Sequence, residues 1–395
     1  MQASGDIPVQ EWMRAASTMA VFSALRAAGG TPRFVGGCIR DSLLGRPVKD
    51  IDIAVDQSPE DNLRLLAAAG IHTLPIGLDH GTVLAVVDRQ HFEITTLRVD
   101  VETFGRQARV AFTDDWRADA ERRDLTINAL YADPDGTLYD PVGGRDDLMA
   151  GRVRFVGDPA RRIEEDRLRI LRFFRFHAWY GKGPADAGAL AACTAAAAGL
   201  DDLSGERIRA ELLRLLAAPD PAPCLELMAE VGVLARILPA GWAIDRLAGQ
   251  EADPLRRLAA LMLGDEEDAR ALAHRLHFSR KQRDRLGFLL APPVDLTAVD
   301  DQELRRLLYR WGVERLDDLA RLQGATALLP VIGKGAPPPF PLSGRDALDL
   351  GVEPGTRVGD LLAAVEAWWI DHDFAGGRKE LLAELRRRCG PVEGD

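Results

Sequence analysis

The sequence predicts an α+β protein: strands mixed with helices up to a break at residues 140–144, then helices alone. Three observations carry this reading. Short runs rich in β-branched and apolar residues, at 33–35, 48–55, 71–75, 82–88 and 91–97, alternate with helical segments. From about residue 185 the chain is rich in Ala and Leu and loses strand-like alternation. Proline and glycine clusters at 140–144, 219–223, 292–293 and 337–339 punctuate the chain, as boundaries between packed segments do.

A chain of 395 residues has length for two or three cores, and 47% hydrophobic with 28% charged residues is ordinary for a globular protein. Its net charge of −11 argues against coating nucleic acid by bulk charge, so an RNA partner needs a local basic patch. Cys38, Cys193, Cys224 and Cys389 form no C-x-x-C pair, as expected of free thiols in a reducing compartment. No apolar run approaches the ~20 residues that span a bilayer, and no signal-peptide layout opens the chain. The expected location is cytoplasmic, with no membrane and no evident partner protein.

Residues 11–28 read as a helix stopped by Gly29-Gly30. The strand 33–35 runs into Gly36-Gly37 and a helix start carrying Arg40. Strand, glycine pair and helix N-terminus form a phosphate-binding layout, although a glycine pair alone often marks only a turn. The next strand holds Asp50-Ile51-Asp52. Its two carboxylates share one face while Ile51, Ile53 and Val55 enter a core. Adjacent carboxylates repel, and a hard divalent cation relieves this. Alone, so short a motif fits a solvated strand edge better than a metal site; placed twelve residues after the glycine pair, it is far more specific. Ser58, Pro59 and Asp61 cap the following helix. On the strand 91–97, Glu93 is a candidate third carboxylate, with a solvated polar face as the alternative.

Residues 99–118 read as a polar mobile loop containing Gly105 and Arg106. Arg122-Arg123-Asp124 follows; adjacent arginines can hold a triphosphate, or simply open a solvated helix. The run 163–176 reads as one amphipathic helix with Ile163, Ile170, Leu171 and Phe174 on its core stripe. Asp166, Arg169, Arg172 and Arg175 recur along its other side, with Phe173 and Phe176 leaning towards them. Residues 152–175 carry eight arginines against four acids, a local +4 and the basic patch the net charge requires. A salt-bridged, exposed helix face is the competing reading. Basic clusters at 280–285, 378–379 and 386–388 are further candidate contacts for RNA phosphates, or solvated helix ends. The seven histidines show no ligand spacing.

Gly36-Gly37-x-x-Arg40-Asp41, Asp50-x-Asp52, Arg122-Arg123-Asp124-x-x-x-Asn128-Ala129 and Glu165-Asp166-x-x-Arg169 together resemble the class II tRNA nucleotidyltransferases (CCA-adding enzymes) and the bacterial poly(A) polymerases. Both lie within the polymerase-β-like nucleotidyltransferase superfamily. The resemblance is strong over about 30–180 and weaker beyond, although Pro341-Leu342-Ser343-Gly344-Arg345-Asp346 looks like the tail of the CCA-adding group.

The resemblance implies a head with a small, mostly antiparallel sheet over 1–147, a helical neck over 148–218 with the base-reading helix, a body over 219–300 and a tRNA-binding tail over 301–395. It implies that Asp50 and Asp52 bind catalytic Mg²⁺. Gly37, Arg40 and Arg123 would hold the nucleotide phosphates. Asp166 and Arg169 would read the base, with Arg172 and Arg175 as further nucleotide contacts. The segment 105–109 is less basic than in many relatives, and its role stays open.

The implied activity adds C, C and A to the tRNA 3′ end and acceptor region, from CTP and ATP, without a template. A poly(A) polymerase, or an A-only or CC-only adding enzyme, shares these motifs. A non-catalytic RNA-binding protein or a small-molecule nucleotidyltransferase would be a different class. The intact Asp pair argues against the first of these, and the long helical remainder against the second.

Overall fold

The computed structural model describes residues 1–104 and 107–389, with the side chains of 101–104 and 107–109 outside the description. The chain forms two compact units. The first contains Met1–Asp245 with Leu272–Phe278, and the second Arg246–Ala271 with Ser279–Asp395.

The first unit is built on an eight-stranded sheet. Its strands are β1 (Gly5–Asp6), β2 (Arg33–Val35), β3 (Ile51–Val55), β4 (His72–Gly77), β5 (Thr82–Val87), β6 (Gln90–Thr96), β9 (Tyr131–Ala132) and β10 (Thr137–Tyr139). Their order is β1-β10-β9-β2-β3-β6-β5-β4. All neighbours run antiparallel except β3 and β6. The expected α+β class and mostly antiparallel sheet are both present. β1, β9 and β10, of two or three residues each, are too short to show a period in sequence.

Alternation on β3 works as the sequence predicts: Ile51, Ile53 and Val55 are buried, while Asp52 points the other way and is half-buried. Ala54, on the Asp52 face, packs into a cluster with Val35, Leu97, Trp116, Ala120, Ala129, Tyr131 and Val156. The carboxylate face therefore rests on an apolar floor. Phe34 of β2 packs edge-on to Trp12 at 4.7 Å and beside Phe22 at 4.6 Å.

Three expectations are corrected. The helix over 11–28 is two helices, α1 (Glu11–Arg14) and α2 (Ala16–Arg26), because Ala15 is extended and the Thr18 hydroxyl donates to the Trp12 carbonyl at 2.7 Å. The loop over 99–118 is largely a hairpin, β7 (Arg98–Phe104) with β8 (Gln107–Phe112). Valines alternating with charged residues formed the strand pattern that overall polarity concealed. Gly105 and Arg106 lie outside the described residues, as do the side chains of 107–109. The run 163–176 is broken at Asp166 and is described below.

The other helices around the sheet are α3 (Gly37–Leu43), α4 (Pro59–Ala68), α5 (Trp116–Glu121) and α6 (Gly144–Met149). Ser58 caps α4 by accepting from the Asp61 N–H at 3.1 Å, with Pro59 in the first turn. Asp140 caps α6 through the N–H groups of Gly144 and Arg145, at 2.8 and 3.0 Å. The unit continues with α7 (Pro159–Glu165), α8 (Leu168–Tyr180), α9 (Ala187–Ala196) and α10 (Gly205–Leu216).

The second unit is helical. One core gathers Leu304, Leu307, Leu308, Leu316 and Leu319; another gathers Leu342, Val365, Trp369, Leu381 and Leu385. The Ser343 and Asp346 side chains form a capping box at Gly344–Asp349. Several arginines of the expected RNA-facing clusters are ion-paired. Arg285 meets Asp318 at 2.5 Å, Arg378 pairs with Asp346, and Arg387 and Arg388 share Glu384. No helix among the described residues is long and apolar enough to cross a membrane.

Candidate active site

The glycine pair sits between β2 and α3. Gly36 has φ 73° and ψ −118°, a backbone conformation that L side chains rarely adopt. Its N–H donates to the Leu130 carbonyl at 3.0 Å, and its carbonyl accepts from Arg40 N at 3.0 Å. The turn thus sets the start of α3 beside Asp52, near the start of β3, where the Cys38 thiol donates to the Asp52 carbonyl at 3.8 Å.

On β3, Asp52 stands opposite Glu93 of β6 in the parallel register, so both carboxylates leave the same face. Burial, then the charges of Glu93 and Asp50, push the Asp52 carboxyl up to about 6 against the lowering influence of Arg123 and Arg40. Among the described residues neither Asp52, Asp50 nor Glu93 makes an ion pair or a side-chain hydrogen bond. A carboxylate group raised in this way and left without a cation suits a divalent metal. Among the described residues no group of three or more His, Cys, Asp or Glu side chains is arranged to hold a metal ion. An open set is what Mg²⁺-type sites use, because substrate phosphates complete the shell.

Around this group the basic residues are held by carboxylates. Arg40 is buried. Its Nε and NH2 donate to Asp41 at 3.1 and 3.0 Å, its NH1 to Asn128 Oδ1 at 2.6 Å, and its guanidinium lies 4.4 Å from the Tyr180 ring centroid. Arg123 and Arg122 both pair with the buried Asp119, at 3.0 and 2.7 Å, and Asp119 also accepts from the Tyr131 hydroxyl at 2.7 Å. Burial works against the Asp119 anion, yet the two arginines hold its carboxyl well below the usual range. The adjacent arginines are therefore fixed in place instead of opening a solvated helix.

The base-reading stretch departs from a single helix. Asp166, with φ −154° and ψ 109°, is extended between α7 and α8. Its Oδ1 accepts from the Leu168 N–H at 3.1 Å and its Oδ2 from Arg207 of α10 at 2.6 Å. These two bonds favour a break over a continuous helix. Arg169 pairs with Glu165 and donates to the Arg162 carbonyl at 2.8 Å. Arg172 Nε meets Asp124 at 2.6 Å, and Arg175 Nε meets Glu211 of α10 at 2.5 Å.

The expected core stripe is buried, but Phe173 and Phe176 are buried with it, against expectation. Phe173 stacks on Phe155 at 5.6 Å, and Phe176 lies beneath Arg175 at 4.1 Å, Arg172 at 5.5 Å and Arg40 at 5.2 Å. The local +4 is thus largely matched by acids from distant segments.

Sequence reasoning missed those acids and their neighbours: Asp119, Glu211, Arg162 and Arg207. Asp119 did carry a signal, lying three and four residues before Arg122 and Arg123, as Arg162 lies three before Glu165; Glu211 and Arg207 carry none towards Arg175 and Asp166. Only the fold brings Glu211 to Arg175 and Arg207 to Asp166.

A carboxylate pair beside a glycine-turned helix start, on an eight-stranded mixed sheet, has the parts of a metal-dependent nucleotidyltransferase head. Comparison with known proteins sharpens this. Residues 32–154 match the poly A polymerase head domain family, and residues 186–244 match a probable RNA and SrmB-binding site of polymerase A. The chain is 37% identical to the mitochondrial CCA tRNA nucleotidyltransferase 1 of Danio rerio over 376 residues, 89% of this chain and 86% of that protein. It is 36% identical to a CCA-adding enzyme of Geobacillus stearothermophilus, over 94% of this chain and 96% of that one. The crystal structure of the Bacillus stearothermophilus CCA-adding enzyme in complex with CTP superposes with a TM-score of 0.75 at 26% identity, covering 94% and 97% of the two chains. The chain belongs to the class II tRNA nucleotidyltransferases, the CCA-adding enzymes.

Proposed function

We propose that the chain adds C, C and A to the 3′ end of tRNA, using CTP and ATP, releasing pyrophosphate and needing no nucleic-acid template. The observation that carries this is the Asp52 and Glu93 carboxylate pair, with Asp50 just before β3 and no ion pair to any of the three among the described residues, beside the Gly36-Gly37 turn. In this reading Asp50 and Asp52 hold Mg²⁺, which when bound polarises the α-phosphate and neutralises the leaving pyrophosphate. Gly37 allows the triphosphate close to the α3 backbone, and Arg40 and Arg123 add fixed positive charge from their braced positions.

Asp166 and Arg169 are proposed to read the base. Cytosine and adenine both present an exocyclic amine donor beside a ring-nitrogen acceptor. Each Asp166 oxygen keeps a lone pair beyond the bond it already accepts, and Arg169 keeps its Nε and NH2 donors. Guanine and uracil would set a carbonyl against the carboxylate and leave buried groups unpaired. Arg175, which uses Nε for Glu211, and Arg172, which uses Nε for Asp124 and holds NH1 3.9 Å from Glu211, keep NH2 for the nucleotide.

The division at 147, 218 and 300 into head, neck, body and tail stays part of this proposal, with the tail as a tRNA contact. So does a cytoplasmic location, supported by the free thiols Cys38, Cys193 and Cys224 buried in the fold. Incubation with tRNA lacking its 3′ end and labelled CTP tests the activity. Incorporation is expected, and none would contradict it.

A further inference from the structure

We propose that Arg162 is a positioning residue that ties the triphosphate side of the site to the base-reading turn. The inference rests on the reading of Asp166 and Arg169 as the base-reading pair. Arg162 is 7% exposed and lies on α7. Its NH2 donates to the carbonyls of Arg122 and of Arg123, the latter at 3.0 Å. Its NH1 lies 2.6 Å from Glu165 Oε2, the oxygen that also accepts from Arg169. Its own carbonyl accepts from Arg169 NH1 at 2.8 Å.

One guanidinium therefore spans from the backbone of the Arg122-Arg123 segment, whose side chains are anchored on Asp119, to the carboxylate that orients Arg169. Two ties meet on Arg169, one through Glu165 and one through the Arg162 backbone. Fork geometry is needed, since only a guanidinium can address two carbonyls and a carboxylate at once. A lysine reaches one of them as a point charge. Neither nucleotide nor metal need touch Arg162, so its influence passes through Arg169.

The test measures kcat/KM for CTP, ATP, UTP and GTP on tRNA lacking its 3′ end. The proteins compared are Arg162→Gln, Arg162→Lys, Arg169→Ala and Asp166→Ala, each with its thermal unfolding midpoint and tRNA affinity. Both Arg162 variants should lose tenfold or more of the discrimination against UTP and GTP while tRNA affinity holds. Arg162→Lys, which keeps the charge beside Glu165, is the variant expected to stay folded, and its result decides if Arg162→Gln does not. Discrimination kept in Arg162→Lys but lost in Arg169→Ala would overturn the role of Arg162 and leave the base reading intact. Discrimination kept in both Arg169→Ala and Asp166→Ala would overturn the base reading itself, and this inference with it.

Discussion

Asp124 accepts a 2.6 Å hydrogen bond from Nε of Arg172, a residue 48 positions further along the chain. The same carboxylate accepts from Asn128 Nδ2 at 3.2 Å, and Asn128 Oδ1 in turn accepts from Arg40 at 2.6 Å. Two motifs that looked like separate nucleotide contacts are thus joined through Asn128. Arg40 and Arg172 are set relative to each other before any substrate arrives.

That relay predicts an acid-sensitive stability. Burial opposes the Asp124 anion, but Arg172 and the hydrogen bonds hold its carboxyl well below the usual carboxylate range. A depressed folded pKa gives stability that is present above the unfolded value, near ~3.9, and lost as pH falls below it. Asp124→Asn should cost about 2–3 kcal/mol at pH 7, less than a fully buried pair because Arg172 is partly exposed. Urea unfolding at pH 7 and pH 3.5 checks this: the gap between wild type and variant should narrow at the lower pH. A constant gap would show that the ionised pair is not the cause.

Asp52→Ala and Asp50→Ala should each abolish nucleotide incorporation, by ~10³-fold or more, while tRNA affinity measured by filter binding changes less than about threefold. Glu93→Gln is a milder case. Removing the negative charge opposite Asp52 should raise the Mg²⁺ concentration giving half-maximal rate, without removing activity. An unchanged metal requirement would place Glu93 outside the site.

Gly36→Ala introduces a Cβ at φ 73°, ψ −118°. The expected cost is roughly 1–3 kcal/mol in stability. The rate should fall more than stability explains, because the turn aims the start of α3. Equal losses in thermal stability and in kcat/KM would reduce the turn to a structural role.

Asp166→Ala should relax the choice among nucleotides by about 1–3 kcal/mol, the scale of one lost discriminating contact. Removing Asp166 also frees Arg207, so Arg207→Gln is the control. It should lower overall rate while keeping the preference for CTP and ATP over UTP and GTP. Steady-state kinetics with each of the four triphosphates separates the two outcomes.

Much of this was legible in the sequence, and for a physical reason. Period-two alternation placed Ile51, Ile53 and Val55 inside and Asp52 outside, and capping chemistry placed Ser58 and Asp61. Long-range pairing was not legible. Asp124 stood in a motif without its partner and Glu211 read as an isolated acid, and only the packing of α8 and α10 in one unit brings them to Arg172 and Arg175, whereas Asp119 pairs locally, three and four residues before Arg122 and Arg123. The break at Asp166 was hidden because the apolar stripe continues through it. The competing term is a capping bond to Leu168 and an ion pair with a residue 41 positions away. Phe176 was misplaced for a similar reason, since three arginines lie over a ring that is nevertheless buried.

The most direct test is to sequence the product 3′ ends after incubating the protein with tRNA that lacks its last three nucleotides, Mg²⁺ and all four triphosphates together. The predicted result is a uniform C-C-A that stops after the terminal A and disappears in Asp52→Ala. Long A-tails, termini ending at C-C, or mixed nucleotides from the wild-type protein would contradict it.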